Sequence, residues 1–474
     1  MEFGLAYSKA VTRRQFFSRS ATGVGAAALA SLLGVKSEAA INAKLSHMAP
    51  RAKHVIYMFM SGAPSHLDLF DYKPYLVKHD GEPVPESFME QRFAFIKGVP
   101  NIGGTRWKFA QHGQSGAWIS ELLPNIATIT DDIAIIHSMH TEQFNHDPAV
   151  TFLNSGSPLA GRPCMGAWAS YGLGSENEDL PAFVVLTSGT GTQPIQSRYW
   201  GNGFLPSTHQ GVQFRSQGDP VLFVNNPEGI DAQRRRSTID AINQMNQWQY
   251  ENVGDPEIAT RIEAFELAYR MQTSVPELMD IASEPESVRA MYGVQPGKTA
   301  FANNALLARR LVERGVRFVQ LFHTGWDHHG GQGKQNLVGH LPVVAREIDQ
   351  PAAALVKDLK QRGLLDETLV IWGGEFGRTP MVQGAVSKES MGRDHNPRAF
   401  TIWMAGGGIK GGIVHGATDD FGYNVVDKPV HVHDFQATVL DCLGMNHENL
   451  TYRFQGRDFR LTDVAGNVAR DLLA

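Results

Sequence analysis

The chain has 474 residues, 42% of them apolar and 19% charged, with a formal charge of −5 at pH 7. That length suffices for one large α/β domain carrying an insertion, or for two domains. The mildly acidic balance excludes a basic field that would hold nucleic acid, and no Lys/Arg run marks a membrane-surface helix. Only Cys164 and Cys442 are present, far apart and outside any C-x-x-C. This argues against a disulfide framework or a thiolate metal site, and leaves two small buried residues or, after export, one bond between them.

Thr12-Arg13-Arg14-Gln15-Phe16-Phe17 is a twin-arginine motif, followed by an uncharged run of small and apolar residues from Ala21 to Val35. Ser37-Glu38-Ala39 then offers a small-x-small cleavage site. Fifteen weakly apolar residues fall short of the roughly 20 that a bilayer requires. Residues 1–40 therefore read as a signal for the twin-arginine export machinery, and 41–474 as a single periplasmic or secreted α/β domain without an integral membrane segment.

The mature chain opens on a strand, His54 to Met60, followed by SGAPSHLDLFDYKP. Gly62, Ala63 and Pro64 make a tight turn, while Ser65, His66, Asp68 and Asp71 supply polar groups past the strand end. Those residues serve either a ligand or the start of a capped helix. An amphipathic helix is expected from Gly116 to Thr130 and a second buried strand from Ile133 to Met139. His140, Asn145, His146 and Asp147 then precede a Pro148-led helix ending near Gly156, whose N-terminus is a ready anion site with His146 at its mouth.

Another strand is expected from Ala182 to Ser188, and then a long loop from Ser197 to Pro220 that walls the pocket. Residues 234–292, broken at Pro256, Pro276 and Pro285, suggest several short helices within an insertion or cap spanning about 190–298. Thr299 to Arg314 forms a helix that restores the α/β alternation.

The centre of the chain is strand, helix, strand: Val316 to Phe322, a segment with Val344, Ile348, Ala352, Leu355 and Leu359 at helical spacing, and Thr368 to Trp372. In such open α/β layouts ligands sit beyond the carboxyl ends of the strands, where Asp327, His328, His329 and Glu375 are delivered. A loop adds Asp394 and His395 before a further strand at Phe400, and the glycine group from Ala405 to Gly416 reads as a turn into a hairpin. It lacks the strand-to-helix context of a dinucleotide site. Asp, Glu and His gathered on one edge suit a divalent cation: zinc, calcium or magnesium. The alternative for Asp327, His329 and His395 is a hydrogen-bonded structural network; His328 reads as a neighbour supporting the loop.

The runs YMFMSGAPSHLDLFDYKP, TGWDHHGG, GGEFGRTP, GRDHNPRAFTIWMAGGGIKGGIVHGATDDFGY and YRFQGRDFRLTD resemble a large bacterial family of exported proteins classed as a domain of unknown function. That family is labelled sulfatase-like, with a fold similar to the alkaline phosphatase and sulfatase superfamily: a mostly parallel central sheet flanked by helices. The resemblance implies a hydrolase of phosphate or sulfate esters, small or polysaccharide, dependent on a divalent metal. It places Asp327, His329 and His395 in one metal set, with Asp394 and Asp68 as further ligands. Glu375 stands where the superfamily has the Asp of Asp-His-Gly, with Phe376 in place of the His. Met60-Ser61 replaces the Asp that closes the first strand, so Ser61, His66 or Asp68 would compensate.

His146 occupies the nucleophile's position, where it would act as nucleophile or general acid, and Glu375 would complete the coordination or act as base. Arg378 would neutralise developing charge or pair with Glu375 or Asp394; Ser65, His66 and Arg393 would contact substrate. The departures from the pattern also fit the other reading: a superfamily fold that has lost catalysis and serves as a secreted binding or scaffold protein.

Overall fold

The computed structural model describes residues 48–88, 95–96, 98–191, 193, 195–215, 220–221, 226, 229–298, 300–383 and 390–474. The twin-arginine motif, its apolar run and its cleavage site lie outside them, as does Thr299. No helix among the described residues is long and apolar enough to cross a membrane.

The chain is α/β. Its centre is a nine-stranded sheet built from β1 (His54–Ser61), β2 (Ile133–His140), β3 (Phe183–Gly189), β4 (Val212–Phe214), β5 (Phe318–Thr324), β6 (Thr368–Gly373), β9 (Phe400–Ala405), β10 (Ile413–His415) and β11 (Val430–His431). Their order is β10-β2-β9-β6-β1-β5-β3-β4, with β11 also on β2. Every pairing is parallel except those of β9, which runs antiparallel to both β2 and β6. Two further strands, β7 (Gly377–Gln383) and β8 (Gly392–Asn396), form a separate antiparallel ribbon above it.

Parallel strands covered on both faces carry continuous apolar runs instead of alternating ones, and all eight residues of β1, HVIYMFMS, are buried. Ile56, Met58 and Met60 face one core layer with Leu306 and Leu307 of α5 (Phe301–Val312) and Ile348 and Leu355 of α6 (Leu337–Gln361). Val55, Tyr57 and Phe59 face the other, with Val150 and Leu153 of α2 (His146–Ser155) and Phe435 and Leu440 of α7 (Val432–Cys442). The crossover from β5 through α6 to β6 straddles β1, so these three strands end side by side. Asn336 caps α6 by accepting from the backbone N–H groups of Val338 and Gly339.

Several expected elements differ. Gly116 to Thr130 is not a helix: Ala117–Ser120 pairs with Phe109–His112 as a hairpin, and Ile126–Asp132 is a 3₁₀ turn. Its apolar spacing served an amphipathic strand and turn instead. Residues 232–279 are two long helices, α3 (Ala232–Val253) and α4 (Pro256–Met279), in place of several short ones. Pro256 opens α4, where its missing N–H costs nothing, and Pro276 is accommodated within that helix.

Asp394 and His395 lie on strand β8, not in a loop. After the glycines, β10 joins the central sheet parallel to β2 and does not close a hairpin. The expected wall from Ser197 to Pro220 contains two 3₁₀ turns and the edge strand β4. Cys164 and Cys442 are both buried and unbonded, and burial pushes each thiol up to about 12.

Candidate metal centre

The turn after β1 decides what the strand ends can hold. Gly62 has φ +114°, and a Cβ there would lie 2.6 Å from Asp327 N and 2.9 Å from Trp326 C. Only glycine lets the β1 turn pack against the segment leaving β5. Its N–H donates to Glu375 Oε1 at 2.9 Å, joining the turn to the end of β6.

Four side chains from three segments meet above this junction. Asp327 follows β5, His329 stands two residues later, His395 comes from β8, and His146 is the first residue of α2; their donor atoms all lie within 4.8 Å of one another. Asp327 Oδ1 is 2.7 Å from His329 Nε2, 3.1 Å from His146 Nε2 and 3.6 Å from His395 Nε2. His395 Nε2 and His329 Nε2 are 3.0 Å apart. Side-chain exposures of 14, 12, 19 and 2% for His146, Asp327, His329 and His395 make His329 the most exposed of the four.

In each imidazole the other nitrogen meets an acceptor. His395 Nδ1 donates to the Phe144 carbonyl at 2.6 Å, His329 Nδ1 to Gln383 Oε1 at 2.6 Å, and His146 Nδ1 to Glu375 Oε1 at 2.6 Å. Holding Nδ1–H in this way fixes the tautomer and aims an Nε2 lone pair inward, the usual support of a metal-bound histidine. His146 Nε2 is buried and no hydrogen bond satisfies it. One proton on His329 Nε2 satisfies Asp327 or His395 and leaves His146 unmet; a cation amid the four satisfies all of them.

The spacing agrees. Metal–ligand distances near 2.0–2.1 Å place tetrahedral donors about 3.3 Å apart, and the four separations given above, 2.7 to 3.6 Å, bracket that value.

The electrostatics set a neutral His395 beside an anionic Asp327 and draw His146 toward its protonated form. Burial, together with Arg378 and the neighbouring rings, outweighs Asp327 and holds His395 down to about 3. For Asp327 burial acts upward, but Arg378 and the three imidazoles hold its carboxyl far below the usual carboxylate range. His146 is pushed down by burial and raised by more through Asp327 and Glu375.

The other expected residues surround this group without joining it. Glu375 is buried and ties His146 to Gly62. Arg378 donates to Asp327 Oδ1 at 2.7 Å and to the carbonyls of Gly62, Ala63 and Arg393. It pairs with Asp327, not with Glu375 or Asp394. Arg393 is fully buried against Asp68, at 2.7 and 3.1 Å, and Ser65 donates to the same carboxylate.

Asp68 is therefore committed away from the four donors. Asp394 accepts from the backbone N–H groups of Phe95, Ile96 and His395. His66 Nε2 bonds the Gly422 carbonyl at 2.9 Å, and His328 sits behind the loop on His340.

Sequence reasoning missed four contributors. Gln193 reaches Asp327 Oδ2 at 2.8 Å from the segment after β3, and Gln383 orients His329. The Phe144 carbonyl orients His395, and the Phe95 ring stands edge-on to His329 and His395 at 5.8 and 5.3 Å. A glutamine or a backbone carbonyl carries no spacing signature; only the fold assigns it.

Residues 52–473 match the family model described as Protein of unknown function (DUF1501). No curated protein matches the chain. Among solved structures, PsFucS1 sulfatase from Pseudoalteromonas sp. aligns over 86% of this chain and 70% of its own at 12% identity and a TM-score of 0.35. The lipoteichoic acid synthase LtaP from Listeria monocytogenes aligns over 89 and 80% at 8% identity and a TM-score of 0.35. A mutant of TAB5 alkaline phosphatase with Mg bound aligns over 75 and 92% at 12% identity and a TM-score of 0.30.

Proposed function

Because the chain belongs to the DUF1501 family, which carries no assigned activity, we propose a function from its own residues: an exported, metal-dependent hydrolase of phosphate or sulfate esters. The observation that carries it is the convergence of three Nε2 atoms on Asp327 Oδ1, each ring held by an acceptor on its far side. Three imidazoles and one carboxylate favour zinc over calcium or magnesium, which prefer all-oxygen sites. A divalent cation bound there supplies Lewis acidity and lowers the pKa of a water.

In this reading His146, Asp327, His329 and His395 hold the cation. Glu375 and Gln383 position two of the rings, and Arg378 keeps Asp327 ionised. The ester approaches past His329 under the Phe95 ring. Export rests on the twin-arginine motif at Arg13 and Arg14.

A second reading, a secreted binding or scaffold protein with a structural cation, is favoured by one observation. Four protein donors close a tetrahedron, whereas catalytic zinc keeps an open position, and Arg378 and Arg393 are buried on carboxylates and carbonyls. Metal analysis of the purified protein with a screen of aryl phosphate and aryl sulfate esters separates the two. One equivalent of metal with turnover that disappears in Asp327→Ala supports the hydrolase; bound metal without turnover supports the scaffold; no metal overturns both.

A further inference from the structure

Helix α3 presents an outward stripe. It packs principally along α4, through buried Ile239 and Asn246 and the Arg236–Glu266 ion pair. At 100° per residue, Arg234, Thr238, Ala241, Met245, Trp248 and Asn252 fall within about 40° of one line on the opposite side. Met245 is 72% exposed and Trp248 70%. Large apolar groups so open on one helix mark an interaction surface.

The order of residues along the stripe selects the occupant. Its N-terminal half is small at Thr238 and Ala241, and its C-terminal half is large at Met245 and Trp248. We propose that this face binds the same face of a second copy of this chain, antiparallel, about a two-fold axis passing level with Asn243. That axis sets Met245 over Ala241 of the other copy and Trp248 over its Thr238, so each large side chain meets a small one. Isologous pairing of this kind is the commonest form of association.

Charge follows the same register. Arg234 stands at the N-terminal end of the stripe, where no ion pair engages it among the described residues. The two-fold axis brings it beside the carbonyl end of the other α3, with its negative dipole and Glu251. A parallel arrangement would set Arg234 against Arg234.

Sedimentation velocity on the purified protein tests this. Mass rising from that of one chain toward twice that value with concentration is expected. Trp248→Asp should weaken association at least tenfold while leaving the melting temperature unchanged. Arg234→Glu should weaken it, and Arg234→Glu with Glu251→Arg should restore it.

Ala241→Cys with Met245→Cys should cross-link into covalent dimers under mild oxidation, since the two native thiols are buried. A monomer at every concentration overturns the proposal. So does a dimer indifferent to Trp248→Asp, or Trp248-dependent binding to anionic phosphatidylglycerol vesicles without dimerisation.

Discussion

His329 Nε2 and His395 Nε2 face each other at 3.0 Å while the Nδ1 of each ring donates elsewhere. Rings so arranged oppose lone pair to lone pair, which costs free energy unless a proton or a cation lies between them. Chelation should therefore destabilise the fold. Dialysis against a strong chelator is expected to lower the melting temperature by several degrees, and a slight excess of zinc to restore it, since an ion at a thousand times its Kd contributes about 4 kcal/mol. An unchanged melting curve would remove the metal from the account.

Glu375 acts through His146, so its replacement should tell on affinity before fold. In Glu375→Gln the acceptor remains and the charge goes; cation affinity should fall roughly 10- to 100-fold, read by competition with a chromogenic chelator. Gln383→Ala should act in the same direction through His329. Equal affinity in both variants and the parent would show that these rings are not ligands.

Gly62→Ala probes the junction beneath the site. With φ +114° and a contact of 2.6 Å to Asp327 N, the new methyl must displace backbone. A loss of about 2 kcal/mol or more in urea denaturation is expected, together with weaker metal binding, because Asp327 would move.

Arg393 and Asp68 form a fully buried pair. Removing one partner should cost about 3–5 kcal/mol, whereas replacing both with apolar residues of similar volume should cost far less. Metal content should stay at the parental value in any variant that folds, since neither side chain touches the four donors. Reduced metal in the folded double variant would place them closer to the site than the geometry allows.

Glu284 gives a pH test away from the site. Burial acts to raise its pKa, but Arg309 and Arg310 outweigh burial and hold it below the ordinary glutamate value of 4.5. A depressed carboxyl contributes stability that is full above the unfolded pKa and fades as pH falls through the folded one. Melting temperatures of the parent and Glu284→Gln should differ by a constant amount near pH 7 and converge below pH 4.5. A gap that persists into acid would assign the effect to packing.

Much of this was readable beforehand because it follows from local pattern. The runs of β1, β5 and β6 carry their burial in their composition, and the spacing of Val344, Ile348, Ala352, Leu355 and Leu359 gave α6, all five being buried. Asp327 and His329 were legible because they follow a strand end; His395 was grouped with them by the family resemblance, and reaches them from strand β8 instead of the expected loop.

His146 was expected as nucleophile or general acid; the structure sets it among the four donors. Arg393 and Asp68 were misplaced for a different reason. Facing charges can neutralise each other or serve a ligand, and only three-dimensional proximity decides. Gly116 to Thr130 failed because a short amphipathic stretch fits either period.

The four donors are scattered over the chain from residue 146 to residue 395, so no fragment made early in synthesis owns the site. The pocket exists only once β8 has closed over the ends of β5 and α2. On the export reading, a translocase that carries finished proteins would then move this one with its ion already in place. The cytoplasm's free metal pool, not the richer mixture outside, would choose which element it carries.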